Sequence, residues 1–395
     1  MELQFSKRVT QEDFQGEFID VILKAAADPS LTSFAGGLPN PQSFPVEAVK
    51  EAANKVFENF GYRALQYNAA EGLLPLREKI CQRYKEQMDL DYTPDEIVIT
   101  TGSQQALDII SGVMLDEGDE IVLENPTYLA ALQVFHHYMP KALTVDLTDT
   151  GINTDQLAAV MEKHDPTLMY IIPNFQNPTG LTYTEETRVK MAEIMKGKNT
   201  LIIEDNPYGE LRFAGKAGHS MAYFLPEQTI LNGTFSKIVA PGMRVGWVAT
   251  KNKELLEKFA VYKSSVDLHT SILDQMIINQ YLEDNDVNAQ VEVAKEIYKN
   301  NAELMMAAME KYMPKGVTFT KPEGGMFLWV TLPEGLKAVD VQFKAVEKGV
   351  VVLAGDPFYE YDHGGRTMRV NYSNSTPEQI EQGVKAFAEA VIELM

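Results

Sequence analysis

Between Asn232 and Trp247 the chain reads NGTFSKIVAPGMRVGW, and Thr234, Ser236, Lys237 and Arg244 bring two hydroxyls, an amine and a guanidinium within eleven residues. A desolvated lysine gives up its proton readily and can form a Schiff base with a carbonyl. Hydroxyls beside an arginine fork suit a phosphate. The stretch therefore has the chemistry to hold a phosphate-bearing aldehyde covalently, although a lysine in a loop is most often a solvated surface residue.

Four other stretches carry groups of the same kind. Thr101-Gly102-Ser103-Gln104-Gln105-Ala106 runs from a strand into a helix, so Ser103 and Gln104 either serve a phosphate at a helix N-terminus or form an ordinary N-cap. Tyr128, in Glu124-Asn125-Pro126-Thr127-Tyr128, leaves a strand end and either stacks on a flat heterocycle or simply packs. Asn177 is held by an Asn-Pro-Thr-Gly turn that presents its amide. Asp205 follows the apolar run Leu201-Ile202-Ile203 and precedes Asn206-Pro207-Tyr208. A carboxylate there is desolvated and needs a cation, such as a protonated pyridine nitrogen, unless it only caps a helix.

The elements that must position these groups follow from apolar patterning. Strand candidates are 96–100, 120–123, 168–172, 200–203, 229–231 and 245–249, mostly separated by helical patterns. That alternation predicts a mostly parallel sheet covered on both faces, with ligands beyond the carboxyl ends of its strands. Upstream, Phe34–Pro45 (FAGGLPNPQSFP) is a binding loop or a linker. A helical pattern then spans 46–88 with a break at 61–72, and Leu76, Ile80, Tyr84 and Met88 form its apolar stripe. Downstream, a long helix over 288–312, strands at 317–320, 326–330, 350–353 and 367–371, and a closing helix from Pro377 predict a smaller α+β domain. In the first 24 residues Phe14, Phe18 and Ile22 recur every fourth position, the spacing of an amphipathic helix or arm.

Composition limits the function. The chain of 395 residues is 45% hydrophobic and carries 35 basic against 56 acidic residues, a formal charge of −21. Nucleic acid and anionic membranes are therefore poor partners. A single cysteine, Cys81, rules out an intrachain disulfide and a cysteine-rich zinc site, and the six histidines show no metal spacing. No signal-like or membrane-spanning run occurs, so a cytoplasmic protein is expected.

The order GSQQA, NPTY, NPTG, DNPY and TFSK, with an arginine seven residues on, resembles the fold type I pyridoxal-phosphate enzymes, and among them the class I/II aminotransferases. The likeness runs from about Phe34 to Asn371, and FAGGLPNP and LQYNAAEG are similar to the 2-aminoadipate, kynurenine and aromatic aminotransferase branch. The resemblance implies an α/β fold: a large domain (51–287) with a mostly parallel seven-stranded sheet, a smaller α+β domain (29–50 and 288–395) and an N-terminal arm (1–28). It implies pyridoxal 5'-phosphate as cofactor and no metal. Lys237 would carry the cofactor and shuttle the proton, and Asp205 would pair with the pyridine nitrogen. Tyr208 and Asn177 would bond the ring oxygen. Ser103, Gln104, Thr234, Ser236 and Arg244 would hold the phosphate, and Tyr128 would stack on the ring.

Tyr67 would reach the neighbouring phosphate across a homodimer interface. Arg369 would grip the substrate carboxylate, assisted by Asn177 and closed over by Gly36 and Gly37. The implied reaction moves an amino group from an L-amino acid to a 2-oxo acid by a ping-pong route. A lyase or decarboxylase on the same fold is the alternative. A non-enzymatic aminotransferase-like regulator is disfavoured, because the match begins by about Phe34 and the charge is acidic. In the arm, Glu17 or Phe18 stands where this branch can place an arginine for a distal carboxylate, with Arg8 nearby. Aromatic or aliphatic donors are therefore expected to outrank 2-aminoadipate.

Overall fold

The computed structural model describes residues 3–10, 28, 30–361 and 365–395. The expectations for Phe14, Glu17, Phe18 and Ile22 fall outside these residues.

A short strand, β1 (Thr32–Ser33), precedes the strands of the large sheet: β2 (Ile97–Thr100), β3 (Glu120–Asn125), β4 (Lys141–Thr148), β5 (Gly151–Ile152), β6 (Leu168–Ile171), β7 (Leu201–Asp205), β8 (Thr229–Thr234) and β9 (Gly246–Ala249). Their spatial order is β2-β9-β8-β7-β6-β3-β4-β5. The pairs β8–β7, β7–β6, β6–β3 and β3–β4 are parallel. β9 runs antiparallel to both β8 and β2, and β5 is antiparallel to β4. Seven principal strands thus make the mostly parallel sheet, with the two residues of β5 added at its edge.

The strand candidates omitted β4. The inner strands β3, β6 and β7 announce themselves as continuous apolar runs, buried on both faces. β4 lies next to the sheet edge with only Val145 fully buried, so its sequence, KALTVDLT, alternates instead.

The central strands bury side chains on both faces. Val98, Leu123, Tyr170, Ile203, Ile230 and Val248 join Leu107 and Ile110 of the Gly102–Met114 helix in one core. On the opposite face, Val122, Met169, Ile171 and Ile202 pack against Leu157, Met191 and Met195. Each fully buried aliphatic side chain contributes roughly 1.5–3 kcal/mol, so the register of these strands is set by apolar burial on both sides. The polar groups of interest stand at the carboxyl ends of these strands and in the loops that follow.

A second sheet has the order β10-β11-β14-β13, from β10 (Thr318–Phe319), β11 (Phe327–Thr331), β13 (Leu353–Ala354) and β14 (Thr367–Asn371), and is antiparallel throughout. It packs on the Val287–Tyr312 and Pro377–Leu394 helices, where Met305 and Met309 are fully buried. The remaining strand, β12 (Val350–Val351), pairs in parallel with β1. The loop after β1 is tied to this sheet by the Asn371 amide donating to the Phe34 carbonyl at 2.7 Å and by Asn40 Nδ2 donating to the Ser373 carbonyl at 2.9 Å. Those bonds hold Gly36 and Gly37 over the carboxyl ends of the large sheet.

Candidate active site

The carboxyl ends of β2, β3, β6, β7 and β8 converge on a cavity of about 350 Å³. Its walls include Gly36, Gly37, Ser103, Gln104, Tyr128, Asn177, Asp205, Tyr208, Thr234, Ser236, Lys237, Arg244 and Arg369. These residues come from widely separated parts of the chain, and parallel strands bring them to one edge.

Lys237 sits in the turn between β8 and β9. Thr234 pairs with Gly246 across the hairpin, and buried Phe235 packs on Trp247 with ring centroids 4.8 Å apart, which fixes the base of the turn. The Lys237 ammonium donates to the Gly37 carbonyl at 2.9 Å and lies 5.8 Å from the centre of the Tyr208 ring. Burial, followed by the charges of Arg369 and Arg244, brings its pKa down to about 8.

Asp205 ends β7 and is buried. Its Oδ2 accepts a hydrogen bond from the Tyr170 hydroxyl at 2.8 Å, while buried Oδ1 has no partner among the described residues. Burial pushes the carboxyl up to about 7; the Tyr170 bond acts downward and Glu124 upward.

Arg369, on β14, is also buried. Its Nη1 donates to Asn177 Oδ1 at 2.9 Å and its Nη2 to the Ala35 carbonyl at 2.6 Å, leaving Nε unpartnered among the described residues. The guanidinium lies 4.4 Å from the centre of the Phe327 ring and 4.8 Å from that of Phe358, a sandwich that holds the fork in place. Burial lowers its pKa to about 10, which still leaves it charged at neutral pH. The other end of the Asn177 amide, Nδ2, donates to the Tyr208 hydroxyl at 3.4 Å.

At the β2 end, the Gly102–Met114 helix starts without a side-chain cap. Gly102 has φ +73°, and a Cβ there would lie 2.4 Å from Arg244 Nη2; a Cβ on Gly246 would lie 2.8 Å from the Ser103 amide. Only glycine leaves this concavity open between the helix N-terminus and the guanidinium. Thr234 and Ser236 face each other with their hydroxyls 2.8 Å apart, and Gln104 Nε2 donates to the Ala130 carbonyl at 2.9 Å.

The turn presenting Asn177 is built on a buried carboxylate. Glu124 accepts from the Ile172 amide (2.9 Å), the Tyr183 hydroxyl (2.6 Å), Gln176 Nε2 (2.9 Å) and the Thr127 hydroxyl (3.3 Å). Gln176 in turn accepts from both the amide and the hydroxyl of Thr179.

The model of the family "aminotransferase class I and II" matches residues 35–387. The chain belongs to the class I and II aminotransferases. It is 40% identical over 380 residues, 95% of this chain and 91% of the relative, to aromatic-amino-acid aminotransferase 1 of Thermococcus litoralis. It is 36% identical over 382 residues, 95% and 94% of the two chains, to the 2-aminoadipate transaminase of Thermus thermophilus. Among solved structures, the multiple substrate aminotransferase of Thermococcus profundus superposes with a TM-score of 0.93 at 38% identity, covering 99% of this chain and 98% of that one. This aminotransferase is a fold type I enzyme that uses pyridoxal phosphate.

Its residues fit that cofactor on three counts: an orphaned carboxylate oxygen for a protonated ring nitrogen, a glycine-lined helix N-terminus beside an arginine for the phosphate, and an amine of lowered pKa for the aldehyde. Tyr67 does not line the cavity. It is 77% exposed and meets His269 edge-on, with centroids 5.9 Å apart.

Sequence reasoning missed Tyr170, Phe327, Phe358 and the Glu124–Gln176 pair. Tyr170 reads as an ordinary strand residue in LMYI, and its contact with Asp205 exists only through the register of two strands. Phe327 follows the Gly324-Gly325 turn and Phe358 follows Asp356-Pro357, and neither spacing signals an arginine between them.

Proposed function

We propose that the aminotransferase moves the amino group of an L-amino acid to a 2-oxo acid in two ping-pong half-reactions, and that aromatic and aliphatic donors are preferred to 2-aminoadipate. The observation that carries this is one cavity holding an amine of pKa about 8, a buried carboxylate with a free oxygen and an aromatic-clamped arginine. Pyridoxal phosphate, when bound, supplies the electron sink for the charge left as the substrate's α-proton departs.

Each residue then has a task. Lys237 would hold the cofactor, and its amine would be the base that takes and returns the substrate's α-proton. At pH 7 a group of pKa about 8 is neutral roughly a tenth of the time, against about 0.03% for an ordinary lysine. Asp205 would pair with the ring nitrogen and keep it protonated. Asn177 and Tyr208 would bond the ring oxygen, Tyr128 would flank the ring, and Ser103, Gln104, Thr234, Ser236 and Arg244 would take the phosphate. Arg369 binds the α-carboxylate under the Gly36–Gly37 loop.

The preference rests on what remains. Lys237, Arg244 and Arg369 are the cations among the lining residues, and all three are committed. The rest of the wall includes Leu129, Ile172, Pro241, Phe327 and Leu353, which suit an apolar or aromatic side chain. Arg8 is exposed in the short Lys7–Thr10 helix. Comparing kcat/KM for phenylalanine, leucine and 2-aminoadipate, with detection of the 2-oxo acid product, tests the proposal. A clear preference for 2-aminoadipate refutes it.

The proposal includes a homodimer in which Tyr67 serves the neighbouring site. Tyr67, Tyr62 and Leu65 are all more than 70% exposed and adjacent in sequence, an apolar surface of the sort that a second subunit covers. The compartment proposed is the cytoplasm, which suits a chain whose one cysteine is a half-buried thiol with its pKa raised to about 11.

A further inference from the structure

We infer that Tyr170 is a positioning residue for the reaction: its hydroxyl engages Asp205 Oδ2, so that Oδ1 alone is left for the ring nitrogen. The inference rests on the proposed role of Asp205.

The sheet register makes the contact. Tyr170 on β6 lies beside Ile203 on β7 in a parallel pair, and Asp205 is two residues further along the same face, roughly 6.6 Å away. A tyrosine spans that gap and reaches Oδ2 at 2.8 Å. The ring is fully buried and packed edge-on against Phe135, with centroids 5.3 Å apart, which holds the hydroxyl toward Asp205. The remaining groups around Asp205 are Glu124 at the end of β3, Tyr128 and Tyr208, and each either opposes its charge or is opposed by it. Among these neighbours Tyr170 alone donates a hydrogen bond to the carboxylate. Without that bond a carboxylate buried beside Glu124 becomes more basic and draws the proton off the ring nitrogen.

The test uses holoenzyme carrying cofactor labelled with ¹⁵N in the ring. Tyr170→Phe keeps the ring packing and removes one oxygen. The nitrogen shift is expected to move toward that of neutral pyridine, and cofactor retention on dialysis to fall about tenfold or more, as for loss of a hydrogen bond to a charged group. Replacing Tyr170 by 3-fluorotyrosine, a stronger acid of nearly the same shape, is expected to keep the nitrogen protonated with retention at or above that of the parent. This second form also serves if the phenylalanine variant does not fold. Asp205→Asn separates the two ideas: an unchanged nitrogen shift there refutes the role given to Asp205. A changed shift in Asp205→Asn with an unchanged one in Tyr170→Phe overturns the role given to Tyr170. Movement toward neutral pyridine in the fluorotyrosine form overturns it as well.

Discussion

Replacing Lys237 by methionine in the cofactor-free protein should make it more stable, even though the lysine is central to the proposed function. Burial brings the ammonium down to about 8 in the folded chain, against 10.5 for an ordinary lysine. At 1.36 kcal/mol per unit, the difference of 2.5 units corresponds to up to about 3 kcal/mol. Below pH 8 the lysine is protonated both folded and unfolded, and the native state bears the full desolvation cost. Between about 8 and 10.5 the native lysine is neutral while the unfolded one still binds a proton, so native stability rises with pH. Above 10.5 the cost is gone. Methionine fills similar space without a charge, so at pH 7 the variant should melt about 4 °C higher, taking roughly 2.1 cal/mol/K of unfolding entropy per residue. Melting curves of cofactor-free parent and variant from pH 6 to 11 would show the gap constant below 8 and closing by about 10.5. A gap that does not change with pH, or a variant less stable at pH 7, would refute the lowered pKa and the burial that causes it.

Three further outcomes are expected. Arg369→Ala should lower kcat/KM for amino acids about 10²- to 10⁴-fold through loss of a bidentate, charge-assisted pair, while cofactor retention on dialysis stays within a factor of three. Glu124→Gln should cost about 1–3 kcal/mol in chemical denaturation, because an amide nitrogen would then face donors, and it should also raise KM by loosening the Asn177 turn. Refolding a mixture of Tyr67→Ala and Lys237→Ala chains should restore activity absent from either alone, since a mixed dimer contains one site with both residues intact. No recovery would remove Tyr67 from the neighbouring site.

Elements buried on both faces were legible because continuous apolar runs bounded by turns admit few alternatives, and the motif residues stood at their carboxyl ends. β4 was not, since near the sheet edge its signal is alternation rather than a run. Lys237 and Asp205 could be nominated from type and context and Arg369 from the family resemblance, yet the side chains that contact them could not. The clamp of Phe327 and Phe358 around Arg369 joins residues 42 and 11 positions away. The Tyr170–Asp205 bond depends on the pairing of β6 with β7. Such contacts are written in register and packing, which single-residue patterns do not carry.

The Asn177 amide has one planar group with opposite demands at its two ends. Its oxygen accepts from Arg369, and its nitrogen donates to the Tyr208 hydroxyl. The two ends cannot be exchanged: aspartate would satisfy the arginine but offer nothing to the tyrosine, and leucine would strand both. Arg369 and Tyr208 thus share one planar group, and the position of either bears on the other through it.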